Sequence, residues 1–298
     1  METNRSQKLI QAKMRYAFVF WTFVTLFLAG MISYPSEGFA QEQQGDTKRV
    51  EFEARMVEDG APIWSGIEWR IFGSTVGNDG KLPLLAQAEG GTKSFDISPG
   101  EYFAHAAYGH ASAIRRIVVE EDNQQEVFTF NAGALQLSST TGEGSAILSS
   151  LLRFDIYSKD VDDRGQRQLI ARNVRPGEIV PFPADTYHVV SQYGRLNAEI
   201  RADLRVEPGK ITQATMQHRA ARVSLRLVEG EGGDAIADTA WSLLTESGDV
   251  ITESASAFPS FVLTEGTYTA IARNNEKIYS RDFKVTPGEN QVIELLIE

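Results

Sequence analysis

The chain contains no cysteine in 298 residues. Disulfides, thiolate nucleophiles and cysteine-ligated metals are excluded, and so is a lipoprotein anchor, which needs a cysteine to carry the lipid. Histidine is scarce: His105, His110, His188 and His218 are the only four, and none stands at metal-ligand spacing from another. Basic charge is also short, with 29 Lys and Arg against 40 Asp and Glu, a net of −11. Residues 1–40 hold four of the bases and two of the acids, which leaves −13 on the rest. That balance repels nucleic acid and anionic lipid, and reads first as solubility. There is no Gly-x-Ser-x-Gly elbow and no Gly-x-x-x-x-Gly-Lys loop, so neither a hydrolase nucleophile nor nucleotide hydrolysis is supported. Beyond residue 40 no helix-period stretch of useful length occurs.

The N-terminus has an export signature. Arg5, Lys8, Lys13 and Arg15 precede an uncharged run from Tyr16 to Tyr34, and Gly38-Phe39-Ala40 gives a small-x-small exit site before Gln41. The run is 19 residues, just long enough to span a bilayer. Residues 1–40 are therefore expected to be a cleaved signal peptide or a retained membrane anchor. In both cases the basic end stays cytoplasmic and the rest crosses the membrane. The polar residues 41–48 read as a flexible lead-in.

From residue 49 onward the sequence repeats. Pro99-Gly100-Glu101-Tyr102 recurs as Ala184-Asp185-Thr186-Tyr187 and Glu265-Gly266-Thr267-Tyr268. A large aromatic precedes each tyrosine: Trp69 and Phe154 by 33 positions, Trp241 by 27. Fixed spacing between unlike residues marks an array. Each copy opens on alternating apolar positions, as in Val50, Phe52 and Ala54, which is the pattern of a half-buried strand. Asn/Asp/Gly clusters then alternate with short apolar runs at sandwich spacing, about seven strands per copy. The tyrosine strands carry small residues at every second position, as in Ala104 and Ala106. Small side chains there predict that the tyrosine strand faces the aromatic strand across one core. The expected fold is all-β: three tandem immunoglobulin-like or prealbumin-like β-sandwich modules at residues 49–132, 133–220 and 221–298. The joints, Asn131-Ala132-Gly133-Ala134 and the residues around His218-Arg219-Ala220-Ala221, are short and argue for a semi-rigid rod.

The glycine–tyrosine strands, the bends Tyr108-Gly109 and Tyr193-Gly194, and the turns Pro208-Gly209 and Pro287-Gly288 resemble bacterial carboxypeptidase-regulatory-like and prealbumin-like modules. The second copy departs, with Asp185 in place of the glycine. The resemblance spans about residues 48–298 and implies accessory, adhesive or scaffold modules of extracytoplasmic proteins, with no catalytic residues. In immunoglobulin-like sandwiches such a tyrosine bonds its hydroxyl to upstream backbone.

Residue chemistry points to no reaction, metal or cofactor. Asp160, Asp162 and Gly165 begin a calcium-loop spacing, but Arg164 interrupts it and Ala171 replaces the closing glutamate, so an acidic hairpin turn is expected, with a weak, irregular calcium loop as the alternative. The structural repeat positions are Trp69, Tyr102, Phe154, Tyr187, Trp241 and Tyr268. Trp64 has no counterpart in the other copies and is a candidate partner contact, or a lid over the core end. The expected function is a non-enzymatic exported envelope protein, periplasmic or otherwise extracytoplasmic, that binds or spaces a protein or glycan. One alternative is an inner-membrane-anchored accessory subunit, touching the membrane only through its N-terminal helix. Another is a non-catalytic carbohydrate-binding or regulatory subunit of an enzyme.

Overall fold

The computed structural model describes residues 46–297. The leader or anchor and most of the lead-in lie outside the described residues. Seven strands build the first module: β1 (Lys48–Arg55), β2 (Ile67–Gly73), β3 (Leu84–Gly90), β4 (Lys93–Ile97), β5 (Gly100–Tyr108), β6 (Ala111–Val119) and β7 (Gln124–Thr129). They form a three-stranded sheet in the order β4-β1-β7 and a four-stranded sheet in the order β3-β2-β5-β6. β1 is antiparallel to β4 and parallel to β7.

The second module is β8 (Ala132–Thr141), β9 (Ser145–Ala146), β10 (Leu152–Val161), β11 (Arg167–Val174), β12 (Ile179–Pro183), β13 (Thr186–Tyr193), β14 (Glu199–Arg205) and β15 (Ile211–His218). Its sheets are β12-β8-β15 and β11-β10-β13-β14, with β9 added beside β8. The third comprises β16 (Ala220–Val228), β17 (Ala240–Thr245), β18 (Val250–Ser254), β19 (Ser260–Thr264), β20 (Gly266–Asn274), β21 (Lys277–Val285) and β22 (Gln291–Leu296), ordered β19-β16-β22 and β18-β17-β20-β21. One 3-10 turn, Ser149–Leu151, is the sole helical element among the described residues.

Period-two alternation gives each sheet one apolar face, and paired faces close three separate cores. In the first, Trp69 packs against Phe52 and Phe128 of the opposite sheet at ring-centroid distances of 5.5 and 5.2 Å. The expectation that the aromatic strand faces the tyrosine strand is overturned. β2 and β5 are hydrogen-bonded neighbours in one sheet, with Trp69 opposite Ala106 and Ile71 opposite Ala104. Trp241 likewise sits beside Ala272, and Phe154 beside Ser191. The small residues make lateral room for a wide ring on the adjacent strand; they do not face it across the core. Trp69 Nε1 donates to Gly91 O at 2.8 Å, whereas the buried Trp241 Nε1 has no partner among the described residues.

Each repeat tyrosine donates its hydroxyl to the carbonyl four residues upstream: Tyr102 to Ser98, Tyr187 to Pro183 and Tyr268 to Thr264, at 2.8–2.9 Å. These bonds pin the turns β4–β5, β12–β13 and β19–β20, at the module end where the chain enters.

The joints are only Phe130-Asn131 and Arg219, because the opening strand of each following module begins inside the stretches read as linkers. At the first joint the Tyr108-Gly109-His110 bend lies on Pro181 and Phe182 of β12. His110 N donates to Pro181 O at 2.9 Å, and its ring stacks on Phe182 at 4.8 Å. At the second, the Tyr193-Gly194 bend meets Val262 of β19, which is buried in the second module's core. Both glycines have positive φ, +60° and +78°. A Cβ on Gly109 would fall 2.7 Å from Pro181, and one on Gly194 would fall 2.6 Å from Val262. Asn197 completes the second joint, donating to the Tyr268 hydroxyl and accepting from Thr264 N.

Candidate functional site

Trp64 lies between β1 and β2, outside any strand, so strand parity says nothing of its direction. It is 78% exposed, the most exposed large apolar side chain among the described residues. Its neighbour Ile63 packs on the first core, and Ile63 N donates to Ala54 O at 2.8 Å. A fixed backbone therefore presents a free indole, which is how aromatic anchors in interfaces are arranged. The aromatic repeat positions Trp69, Phe154, Tyr187, Trp241 and Tyr268 are buried, and Tyr102 is half-buried. Burial pushes the Tyr187 phenol up to about 12. The three tyrosine hydroxyls and the Trp69 indole N–H have backbone partners.

A second place takes shape only in three dimensions. The outer face of the second module's four-stranded sheet holds a shallow cavity of about 260 Å³. Alternation puts Arg153, Asp155 and Tyr157 of β10 on this face, since Phe154 and Ile156 point into the core. Beside them stand His188, Val190 and Gln192 of β13, then Glu199 and Arg201 of β14, and Arg167 of β11. Arg153 donates to Gln192 at 2.8 Å, and Arg201 pairs with Glu199 at 2.5 Å. His188 Nδ1 lies 2.7 Å from Asp203, and that hydrogen bond holds the Asp203 carboxyl below its usual range. Each guanidinium keeps unused donors beside a half-buried phenol ring. Such a face can hydrogen-bond and stack a polar ligand laid flat on the sheet. The matching face of the first module carries Glu68, Arg70 and His105, and that of the third carries Ala240, Ser242 and Ile271.

The remaining histidines have structural surroundings. Burial lowers the pKa of His105, with Arg70 adding to the effect, and burial alone lowers that of His110. His218 is buried, bonds Ser191 Oγ at 2.9 Å, and is held down to about 4 by desolvation. The Asp162 turn closes the β10–β11 hairpin, and Asp162 Oδ1 accepts from Arg164 N and Gln166 N. No cluster of three His, Asp or Glu placed to hold a metal occurs among the described residues. No helix among them is long and apolar enough to cross a membrane.

Sequence reasoning found Trp64 by its lack of a repeat partner. It missed the cavity on the second module, although the outward parity of Arg153, Asp155 and Tyr157 follows once Phe154 is placed inside. Which residues of β13 and β14 stand next to them depends on register, which one sequence does not display.

A family model described as the Rhizobiales growth-associated tandem repeat domain matches residues 222–297. The match falls on the third module alone. No curated protein matches the chain. Among solved structures, the chain is similar to the Streptococcal ancillary pilin, at 10% identity over 85% of this chain and 99% of that one, with a TM-score of 0.32. It is similar to BcpA, the major pilin subunit of Bacillus cereus, at 8% identity over 85% and 100%, TM-score 0.22. It is similar to the Bacillus anthracis TIE protein at 12% identity over 85% and 50%, TM-score 0.23. The chain thus spans half the length of the TIE protein. No residue role carries across at these scores.

Proposed function

We propose that the chain is a non-enzymatic, exported cell-envelope protein whose modules, 49–132, 133–220 and 221–298, form a semi-rigid scaffold that presents contact residues to an envelope partner. The observation that carries this reading is the exposed Trp64, fixed on a body whose joints are one and two residues long and held by docked bends. Short, docked joints keep a contact surface at a set distance and orientation from the chain's point of attachment, which suits spacing and binding. The basic leader supports export, with the inner-membrane-anchored form as the alternative topology. The growth-associated repeat matched by residues 222–297 supports a role in the envelope of growing cells. The likeness to carboxypeptidase-regulatory-like modules supports an accessory role. A second reading, a non-catalytic glycan-binding subunit, is favoured by the stacking ring of Tyr157 among the hydrogen-bonding groups of the second module's cavity.

The test places a photo-crosslinking phenylalanine at position 64 or 157 of the full chain in cells. An adduct of discrete mass with an envelope protein from position 64, lost from the exposed control position 76, supports the first reading. A glycan adduct from position 157 supports the second. Absence of adducts at both positions removes the binding role. Trp64→Ala should leave stability within about 0.5 kcal/mol, as for an exposed side chain. A larger loss would make Trp64 a lid over the core.

A further inference from the structure

The three modules expose three equivalent sheet edges, β7, β15 and β22, and the middle one is built differently. An edge strand offers unpaired N–H and C=O groups, and proteins protect such edges with charge or with covering side chains. In the first module Arg115 of β6 reaches over and donates to Val127 O on β7 at 2.5 Å, and pairs with Glu126. In the third, Arg281 of β21 donates to Glu294 O on β22 at 2.5 Å. The registers make these two arginines equivalent: Arg115 lies opposite Ala104, and Arg281 opposite Ala270. The residue opposite Val189 in the second module is Ala202. Among the described residues no arginine of β14 donates to a carbonyl of β15.

The rest of that sheet is also without charge. β12, β8 and β15 contain no Asp, Glu, Lys or Arg. The equivalent first-module sheet carries Lys48, Arg49, Glu51, Glu53, Arg55, Lys93, Asp96 and Glu126, and the third carries Arg222, Arg226 and Glu294. Outward on β8 and β15 stands a ladder of amides and hydroxyls: Gln213 bonds Gln136 at 2.7 Å, and Ser138 bonds Thr215 at 2.8 Å. Beside the edge, Ile200, Ala202, Leu204 and Ala214 are only partly buried.

We propose that β15 is a strand-addition site and that its occupant is a second copy of this chain, pairing β15 against β15 antiparallel across a two-fold axis. A two-fold axis through the strand sets each residue against one of equal parity. Centred on Ala214, it pairs Gln213 with Thr215 and Ile211 with Gln217. Amides and hydroxyls donate and accept alike, so the ladder is complementary to itself. In a chain of net −11, β15 is the one of these three equivalent edges whose strand carries no charge to set against its like. The two β12-β8-β15 paths would then run on into one continuous ladder of six strands, with β9 beside β8 in each copy.

The absence of cysteine makes the test clean, because a single introduced thiol reports alone. Gln213→Cys in the full chain, treated in cells with a short bismaleimide, should give a covalent dimer on a denaturing gel. Gln125→Cys and Val292→Cys, at the equivalent exposed positions of β7 and β22, should give none. Ala202→Arg, which restores the missing clamp, should abolish the Gln213→Cys dimer while leaving the melting temperature unchanged. Thr215→Lys is the second blocking variant should Ala202→Arg fold poorly. Failure of Gln213→Cys to crosslink, equal crosslinking at all three edges, or a dimer that survives both blocking variants would overturn the proposal. An adduct with a different protein in place of the dimer would overturn the choice of occupant.

Discussion

The inner junctions and the outer ends of the three-module body use the same positions for opposite purposes. At the junctions Pro181 and Val262 receive the bend of the preceding module. The residue at that register in the first module is Asp96, which pairs with Arg49. The bend that docks is Tyr108-Gly109 or Tyr193-Gly194; at the same place the third module has Asn274-Asn275-Glu276, with Asn275 and Glu276 at positive φ and exposed. The turns Pro208-Gly209 and Pro287-Gly288 lie against the preceding module at Val57 and Gly142. The first module has Glu120-Glu121-Asp122 in that turn, and the third has Glu229, Glu231 and Asp234 in the loop that matches Gly142. A further module docked in the same way at either end would bury carboxylates, which is costly without partners.

This contrast can be broken most forcefully at Gly194. Gly194→Val places a β-branched residue at φ +78° with its Cβ 2.6 Å from Val262. The expected cost is about 3 kcal/mol or more in urea unfolding, from strain and overpacking together. Gly144→Val, at φ +97° with nothing within 4 Å, should cost only the strain, about 1–2 kcal/mol. Equal costs would mean that the junction is not packed as described.

His218 tests the inner junction by pH. Its folded-state pKa, about 4, lies below the ordinary value of 6.5 because burial disfavours the imidazolium. Above pH 6.5 both folded and unfolded chains hold it neutral, and it has no effect. As pH falls from 6.5 towards 4 the unfolded chain takes up the proton first, so stability drops, by on the order of 3 kcal/mol. The loss should appear in the second module's unfolding and be absent from His218→Gln. The third module contains no histidine and should not share that component. Identical pH slopes for His218→Gln and the parent chain would sink the assignment.

The smallest effect separates two tyrosines. Tyr268 donates to Thr264 O and receives Asn197 from across the joint, whereas Tyr102 bonds only Ser98 O on the outer end. Tyr268→Phe should therefore cost about 1–2 kcal/mol and Tyr102→Phe at most about 1 kcal/mol, measured by thermal unfolding. Asn197→Ala should bring the two closer. If Tyr102→Phe costs the same as Tyr268→Phe in the parent chain, the cross-junction bond contributes nothing.

Much of the architecture was legible in particular residues. The alternation of Val50, Phe52 and Ala54 gave the first strand, and the spacing of Trp69 to Tyr102 gave the unit of repetition. Tyr187 and its two counterparts were readable as corner tyrosines through the resemblance to immunoglobulin-like sandwiches. Reading Ala104 and Ala106 as the far side of the core failed. A small residue leaves space both across a core and sideways, and one sequence does not say which is filled. The indole of Trp64 was legible as an outlier, while the grouping of Arg153, Tyr157, His188 and Arg201 was not, because it joins three strands through register.

The sequence by itself determined that residues 49–298 are built of β-sandwich units without staples or cysteine chemistry, since period-two patterning and composition act locally on every strand. Tertiary structure alone decided which strands are neighbours, where Gly109 and Gly194 must yield to the next module, and which edge lacks its arginine. Those outcomes depend on contacts between residues far apart in the chain, and burial and hydrogen bonding act on that proximity, whatever the separation in sequence.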